Sequence, residues 1–392
     1  MRPSSIPILV ALIACAMAPG RGHAQAIDPW AVMRDTADPV DPSLPDDPGG
    51  ATALGQFGDL DGAGPDGDLI ALPLRRTSPE IDPYEPLGIR AGSFILYPSL
   101  EATAGYTTNG TGAADGPESG FGSLTPELVV RSDWARHEAT LSMRGTYETF
   151  TDGSIDDQPS ATVEATARID FAEGWALDHV ASYDYYEQSI SDPNYPAGVD
   201  SPPGVYEFAS LSELRGNLGR NVLAFGAILN RTVYENGTSG GVVVDQSDRD
   251  NTEVGGRLRY GFEATPLVTP FVEGDIKRRI YDQKVDDDGI ERSSWIYGLR
   301  GGLAYKSDPV LSGEIAIGYA LEEIDDPSLS GLGALTFDGS LTWSPTELTT
   351  VTFDGATSLS PTTDPDSSGS VVYEALLDLA YRWRENVTLE AL

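Results

Sequence analysis

The chain has 392 residues, with 61 Asp and Glu against 25 Lys and Arg, giving a formal net charge of −36 that excludes nucleic-acid binding. A single cysteine, Cys15, excludes a disulfide framework or thiolate metal site, and three histidines leave little for zinc or histidine-based catalysis. Mean hydropathy is −0.22, and past residue 18 no run of about 18 apolar residues occurs, so helical membrane spans are excluded as well.

Arg2, the apolar run Ile6 to Met17 and the small-residue site Ala24-Gln25-Ala26 read as a secretory leader, residues 1–26. Leu12-Ile13-Ala14-Cys15 admits a lipoprotein signal as the rival reading. Asp28 to Pro86 then contains ten prolines and thirteen acids among small residues. Such a composition buries too little apolar surface to offset chain entropy, so residues 27–90 are expected to form a disordered, acidic periplasmic arm.

From residue 91 onward the texture changes to alternation. Ala161, Val163, Ala165, Ala167, Ile169 and Phe171 alternate without error against Thr162, Glu164, Thr166, Arg168 and Asp170. Period two predicts strands with one apolar and one polar face. Fifteen are expected: Ser93–Tyr106, Phe121–Trp134, Glu138–Glu148, Ala161–Phe171, Trp175–Gln188, Tyr206–Arg220, Val222–Tyr234 and Asn251–Phe262, then Thr269–Tyr281, Ser293–Tyr305, Val310–Glu322, Gly333–Trp343, Leu348–Leu359, Ser370–Arg382 and a partial strand from Val387. The connections between them alternate short and long, the longest being Ser189–Val205 and Glu235–Asp250.

Short turns at one end and long loops at the other are the pattern of bacterial transmembrane barrels. About 11 residues tilted by about 40° also cover the roughly 25 Å apolar band of such a barrel. Soluble sandwiches use shorter strands without the two-sided loop asymmetry. Tyr106, Trp134, Trp175, Phe262, Trp295, Tyr305, Tyr319 and Trp343 fall near strand ends, as interfacial girdles require. The expected fold is all-β: an antiparallel up-and-down transmembrane barrel over residues 91–392, of 16 strands or 18 when complete. Because the chain stops at Leu392 within a strand, it is expected to be a fragment lacking one or more closing strands.

The segments PYEPLGIRAGSFILYPSLEATAGYTTN (Pro83 to Asn109) and SDWARHEATLSMRGTYETF (Ser132 to Phe150) resemble the β-barrel porin 2 family. The elements that carry the resemblance are Gly92-Ser93-Phe94, Pro98, and Asp133-Trp134 with His137. The resemblance covers the chain from about Tyr84 onward and implies an outer-membrane barrel of Gram-negative bacteria, with no catalytic residues to carry over. Similar barrels that accompany exopolysaccharide export offer a second role.

With the apolar parity facing lipid, the polar parity lines the interior. The pore-lining candidates are Arg131, Arg144, Glu148, Arg168, Arg257, Arg259, Glu273, Lys277, Arg279 and Arg300. Arg257 and Arg259 lie one hairpin from Lys277 and Arg279, a basic ladder that would set a transverse field, or else charges that pair across strands and hold register. The Asp-rich loops, such as Asp286-Asp287-Asp288, lack EF-hand spacing and read as solvated charge rather than a cation site. Neither His137 at a turn nor His179 on the apolar parity is placed for nucleophilic catalysis, so no enzyme and no cofactor are expected. The reading is a porin-like passive diffusion channel for small hydrophilic solutes. Its partners would be outer-membrane lipid, lipopolysaccharide and the barrel-assembly machinery, with the oligomeric state open. The alternative is a non-conducting structural or export-associated barrel.

Overall fold

The computed structural model describes residues 87–391, apart from 111–115, 154, 173, 189–193, 197, 200–201, 308–309, 363, 365–366 and 385–386. The leader, and the acidic arm up to residue 86, lie outside the described residues.

The strands are β1 (Ile89–Ala91), β2 (Phe94–Thr107), β3 (Ser119–Ser132), β4 (Glu138–Phe150), β5 (Gln158–Ala172), β6 (Trp175–Glu187), β7 (Gly204–Leu218), β8 (Asn221–Tyr234) and the short β9 (Gly237–Ser239) and β10 (Val242–Val244). There follow β11 (Asn251–Phe262), β12 (Val268–Tyr281), β13 (Ser294–Ser307), β14 (Leu311–Ile324), β15 (Leu332–Thr346), β16 (Thr349–Ser360), β17 (Ser370–Arg384) and β18 (Val387–Ala391). All except β9 and β10 form one sixteen-stranded antiparallel sheet in strict sequence order. Among the described residues no ladder joins β1 or β2 to β17 or β18. Each of the fifteen strands expected from periodicity is present, displaced by a few residues at most ends.

Three short strands were not expected. β1 folds back on β2 through Gly92, whose φ of +67° suits a residue without Cβ. β9 and β10 form a hairpin inside the long β8–β11 connection, turned by Gly240 and Gly241, both at positive φ. A two-residue turn with both residues left-handed matches the twist of the flanking strands.

Burial is inverted relative to a soluble sheet. On β11 and β12 the inward positions carry Glu253, Arg257, Glu273 and Arg279, each exposed by 9% or less. The alternate positions carry Val254, Leu258, Val272, Ile276 and Ile280, exposed by 40–52%. The pattern continues on β13 and β14, where Leu299 and Ile317 are exposed while Ser294, Ala316 and Glu322 are buried. An apolar outer surface of this extent costs too much in water and is satisfied only by hydrocarbon.

The sheet is rolled. β6 and β16 stand eight places apart in the sheet order, which is about 38 Å across a flat sheet. Asn194 lies seven residues past the end of β6, a reach of at most about 25 Å. Its Nδ2 nevertheless donates to the carbonyl oxygen of Pro361, one residue past β16, at 3.3 Å. Only a curved sheet brings those loops together.

Leu299, at the middle of β13, and Tyr305, near its short-turn end, test the outward assignment. Leu299→Arg is expected to lower unfolding stability in lipid vesicles by about 2–4 kcal/mol, and Tyr305→Arg by about 0–1 kcal/mol. Equal losses in a denaturant titration would show that these positions do not sit at different depths.

Candidate pore interior

The segment that carried the family resemblance forms a clasp at the short-turn end. Ser93 O accepts the Asp133 N–H at 2.8 Å, Asp133 pairs with Arg90, and Phe94 sits edge-on to Trp134 at 5.5 Å. His137 Nδ1 accepts the Asp170 N–H at 3.2 Å, tying the β3–β4 turn to β5. These residues fix the first hairpins; they do not form a reactive site.

Inward side chains form three groups of charges. In the largest, Arg257 pairs with Glu213 and lies 3.4 Å from Glu273; Arg259 holds Glu314 through two bonds of 3.0 and 2.6 Å and stacks on Phe271. Arg300 reaches Glu273, Asp275 and Asp338 at 3.2, 3.1 and 2.8 Å. Three guanidinium groups thus face five carboxylates drawn from β7, β12, β14 and β15. Nearer the long loops, Glu253 receives Lys277 at 3.0 Å and Arg279 at 3.3 Å, and Arg279 also binds Glu322 at 2.5 Å. On the neighbouring wall, Arg168 approaches Asp170 and Asp178, and Arg215 pairs with Asp178.

Register explains the interleaving. Arg257 is opposite Asp275, Arg259 opposite Glu273, and Arg279 opposite Glu253 on adjacent strands. Directly opposed residues share a face a few ångströms apart, so opposite charges there stabilise the pairing. The four basic residues of β11 and β12 therefore do not stand as an uninterrupted ladder. Acids alternate with them.

The remaining candidates lie on β3 and β4. Arg144 is opposite Glu127 and 3.9 Å from Glu101, Arg131 is opposite Thr140, and Glu148 is opposite Ser123. All fall on the inward parity, as do Glu164, Asp184 and Glu207 of β5–β7; Thr162 and Ser182 donate to Asp184, and Tyr186 to Glu207. The sequence did not reveal these last three as a group, because only the β5–β6–β7 register sets them side by side.

Two arginines point outward near the long-loop rim. Arg231 binds Asp282 at 2.6 and 2.7 Å, and Arg278 binds Asp325 at 2.8 and 2.5 Å with Trp295 beside it. The guanidinium groups hold both carboxyls below the ordinary aspartate value of 3.8. Their stabilisation is therefore complete above about pH 4 and is lost as acidification passes through the lowered values. Asp286 and Asp326 serve the loops themselves, accepting backbone N–H groups of Ile290 and Glu291 at 2.8 and 3.1 Å. Among the described residues no group of three or more His, Cys, Asp or Glu is set as metal ligands.

His179 Nδ1 lies 2.8 Å from Ser212 Oγ, a pair the sequence did not show. Both project outward, four residues along β6 from Trp175, or about 10 Å into the apolar band. Lipid ester groups sit at the girdle rather than at that depth. The bond instead satisfies two polar groups in an apolar surround.

A family profile described as Putative beta-barrel porin 2 matches residues 82–392. The chain belongs to that family. The match spans every described strand and agrees with the resemblance read from Pro83–Asn109 and Ser132–Phe150. A search of curated proteins finds no match. Membership makes the protein an outer-membrane β-barrel of porin type.

The pairing account predicts a specific double-mutant result. Arg257→Gln removes the guanidinium facing buried Glu213 and is expected to cost about 3–5 kcal/mol of unfolding stability. Adding Glu213→Gln should recover part of that loss. Identical losses from the single and double variants would show that pairing is not what Arg257 contributes.

Proposed function

We propose that this barrel is a passive diffusion channel for small hydrophilic solutes. The observation that carries the reading is the inverted burial: charged side chains such as Asp178, Glu213, Arg257 and Glu273 lie on the inner face, beside a small apolar cluster of Val180, Leu211 and Ile228, and large apolar ones cover the outer. A polar interior in a sheet of this size encloses water, through which polar solutes diffuse. Because five carboxylates meet three guanidinium groups on one wall, the channel favours cations over anions.

A second reading is a non-conducting barrel, structural or associated with polysaccharide export. The contact between Asn194 and Pro361 at the long-loop end favours it, because it narrows the opening. Purified full-length protein in planar bilayers separates the two. The channel reading expects discrete conductance steps and, under a salt gradient, a reversal potential of cation-preferring sign. Absence of steps would support the second reading, and an anion-preferring potential would refute the electrostatic part of the first.

A further inference from the structure

The long-loop end holds a built contact that the interior charges do not explain, and we propose that Arg292, through its bonds to Asp364 and Ser367, positions Pro361, Thr362 and Ser368 at the constriction of the channel. The proposal rests on the diffusion-channel reading and adds the residue that sets its narrowest point.

Arg292 lies just before β13, on the parity that points inward along that strand, and is only 8% exposed. Its Nε donates to Asp286 Oδ2 at 2.8 Å within its own loop. Its other nitrogens donate to the carbonyl oxygens of Ser367 at 3.0 Å and Asp364 at 2.9 Å. Those acceptors belong to the β16–β17 connection, which leaves the sheet three strands further round. One guanidinium therefore ties two loops that the strand order keeps apart, and its fork can hold several acceptors in fixed directions.

The consequence is the direction taken by the tied segment. Pro361, Thr362 and Ser368 lie with Arg279, Tyr281, Glu322 and Ile324 around one small cleft, against the inner face of β12 and β14. Pro361, Thr362 and Ser368 thus stand on the lumen side of the rim. Ser368 Oγ donates to Ser330 O at 2.5 Å and fixes it from the side. From the opposite wall, Asn194 Nδ2 donates to Pro361 O. Loops rooted eight strand places apart meet across the mouth, so solute must pass beside that junction.

The test uses full-length protein in planar bilayers. Arg292→Ala releases two carbonyl contacts and is expected to raise single-channel conductance about twofold or more, with Arg292→Lys in between. In a Cys15→Ser background, Asn194→Cys with Pro361→Cys should form a disulfide under mild oxidant. That crosslink should lower conductance, reductant should restore it, and Arg292→Ala should reduce its yield. Failure of the crosslink to form overturns the proposed contact. A crosslink that forms while conductance is indifferent to it and to Arg292→Ala overturns the constriction but leaves the channel reading intact. A crosslink that forms in a barrel giving no steps in any variant overturns the channel reading and, with it, the constriction.

Discussion

Hydrocarbon offers no partner to a backbone N–H or C=O, and that constraint organises the whole molecule. Each strand crossing the apolar band must find its hydrogen bonds on its two neighbours, which forces long, unbroken antiparallel ladders. The strands from β2 to β17, the β9–β10 hairpin apart, are 12–15 residues long and pair in sequence order, with short turns at one end and long loops at the other. Once the backbone is so committed, the period-two alternation of side chains decides which face meets lipid. Leu258, Leu299 and Ile317 go outward because lipid accepts them, and the charged parity has only the enclosed side left.

Confinement of charge then imposes its own requirement. A carboxylate such as Glu273, about 3% exposed, is tolerable only beside cations, and it lies within reach of Arg257, Arg259 and Arg300. These groups come from β11, β12 and β13, so the same contacts that neutralise the interior also resist slippage of the ladders. A slip of one residue would expose Arg257 and Glu273 to lipid and bury Leu258 and Val272. Lumen chemistry and strand register are thus two readings of one set of bonds.

Much of this is legible in the amino-acid sequence itself. Strict alternation such as that of Ala161 to Phe171 located the strands, and the long-short rhythm of the connections separated the two ends. What alternation could not supply was the partner of each strand position. Arg257, Arg259, Lys277 and Arg279 left two readings open, a basic ladder or cross-strand pairs, because Glu253 and Asp275 were not yet placed among them; register did that and favours the pairs. The Gly240-Gly241 turn carried a local signal for the β9–β10 hairpin, but the hairpin sits within a loop too long to divide by periodicity. The reach of Arg292 to Ser367 and of Asn194 to Pro361 depends on the roll of the sheet, which no local pattern encodes.

The most direct test of the account is site-directed spin labelling along β13, one label at a time from residue 294 to 304, in lipid vesicles. Labels at 295, 297, 299, 301 and 303 should collide readily with oxygen dissolved in the bilayer. Labels at the even positions should be shielded from oxygen and respond, where accessible at all, to a water-soluble paramagnetic reagent. A flat profile, or one in which the even positions meet the lipid, would contradict the assignment of the two faces and the aqueous interior built on it.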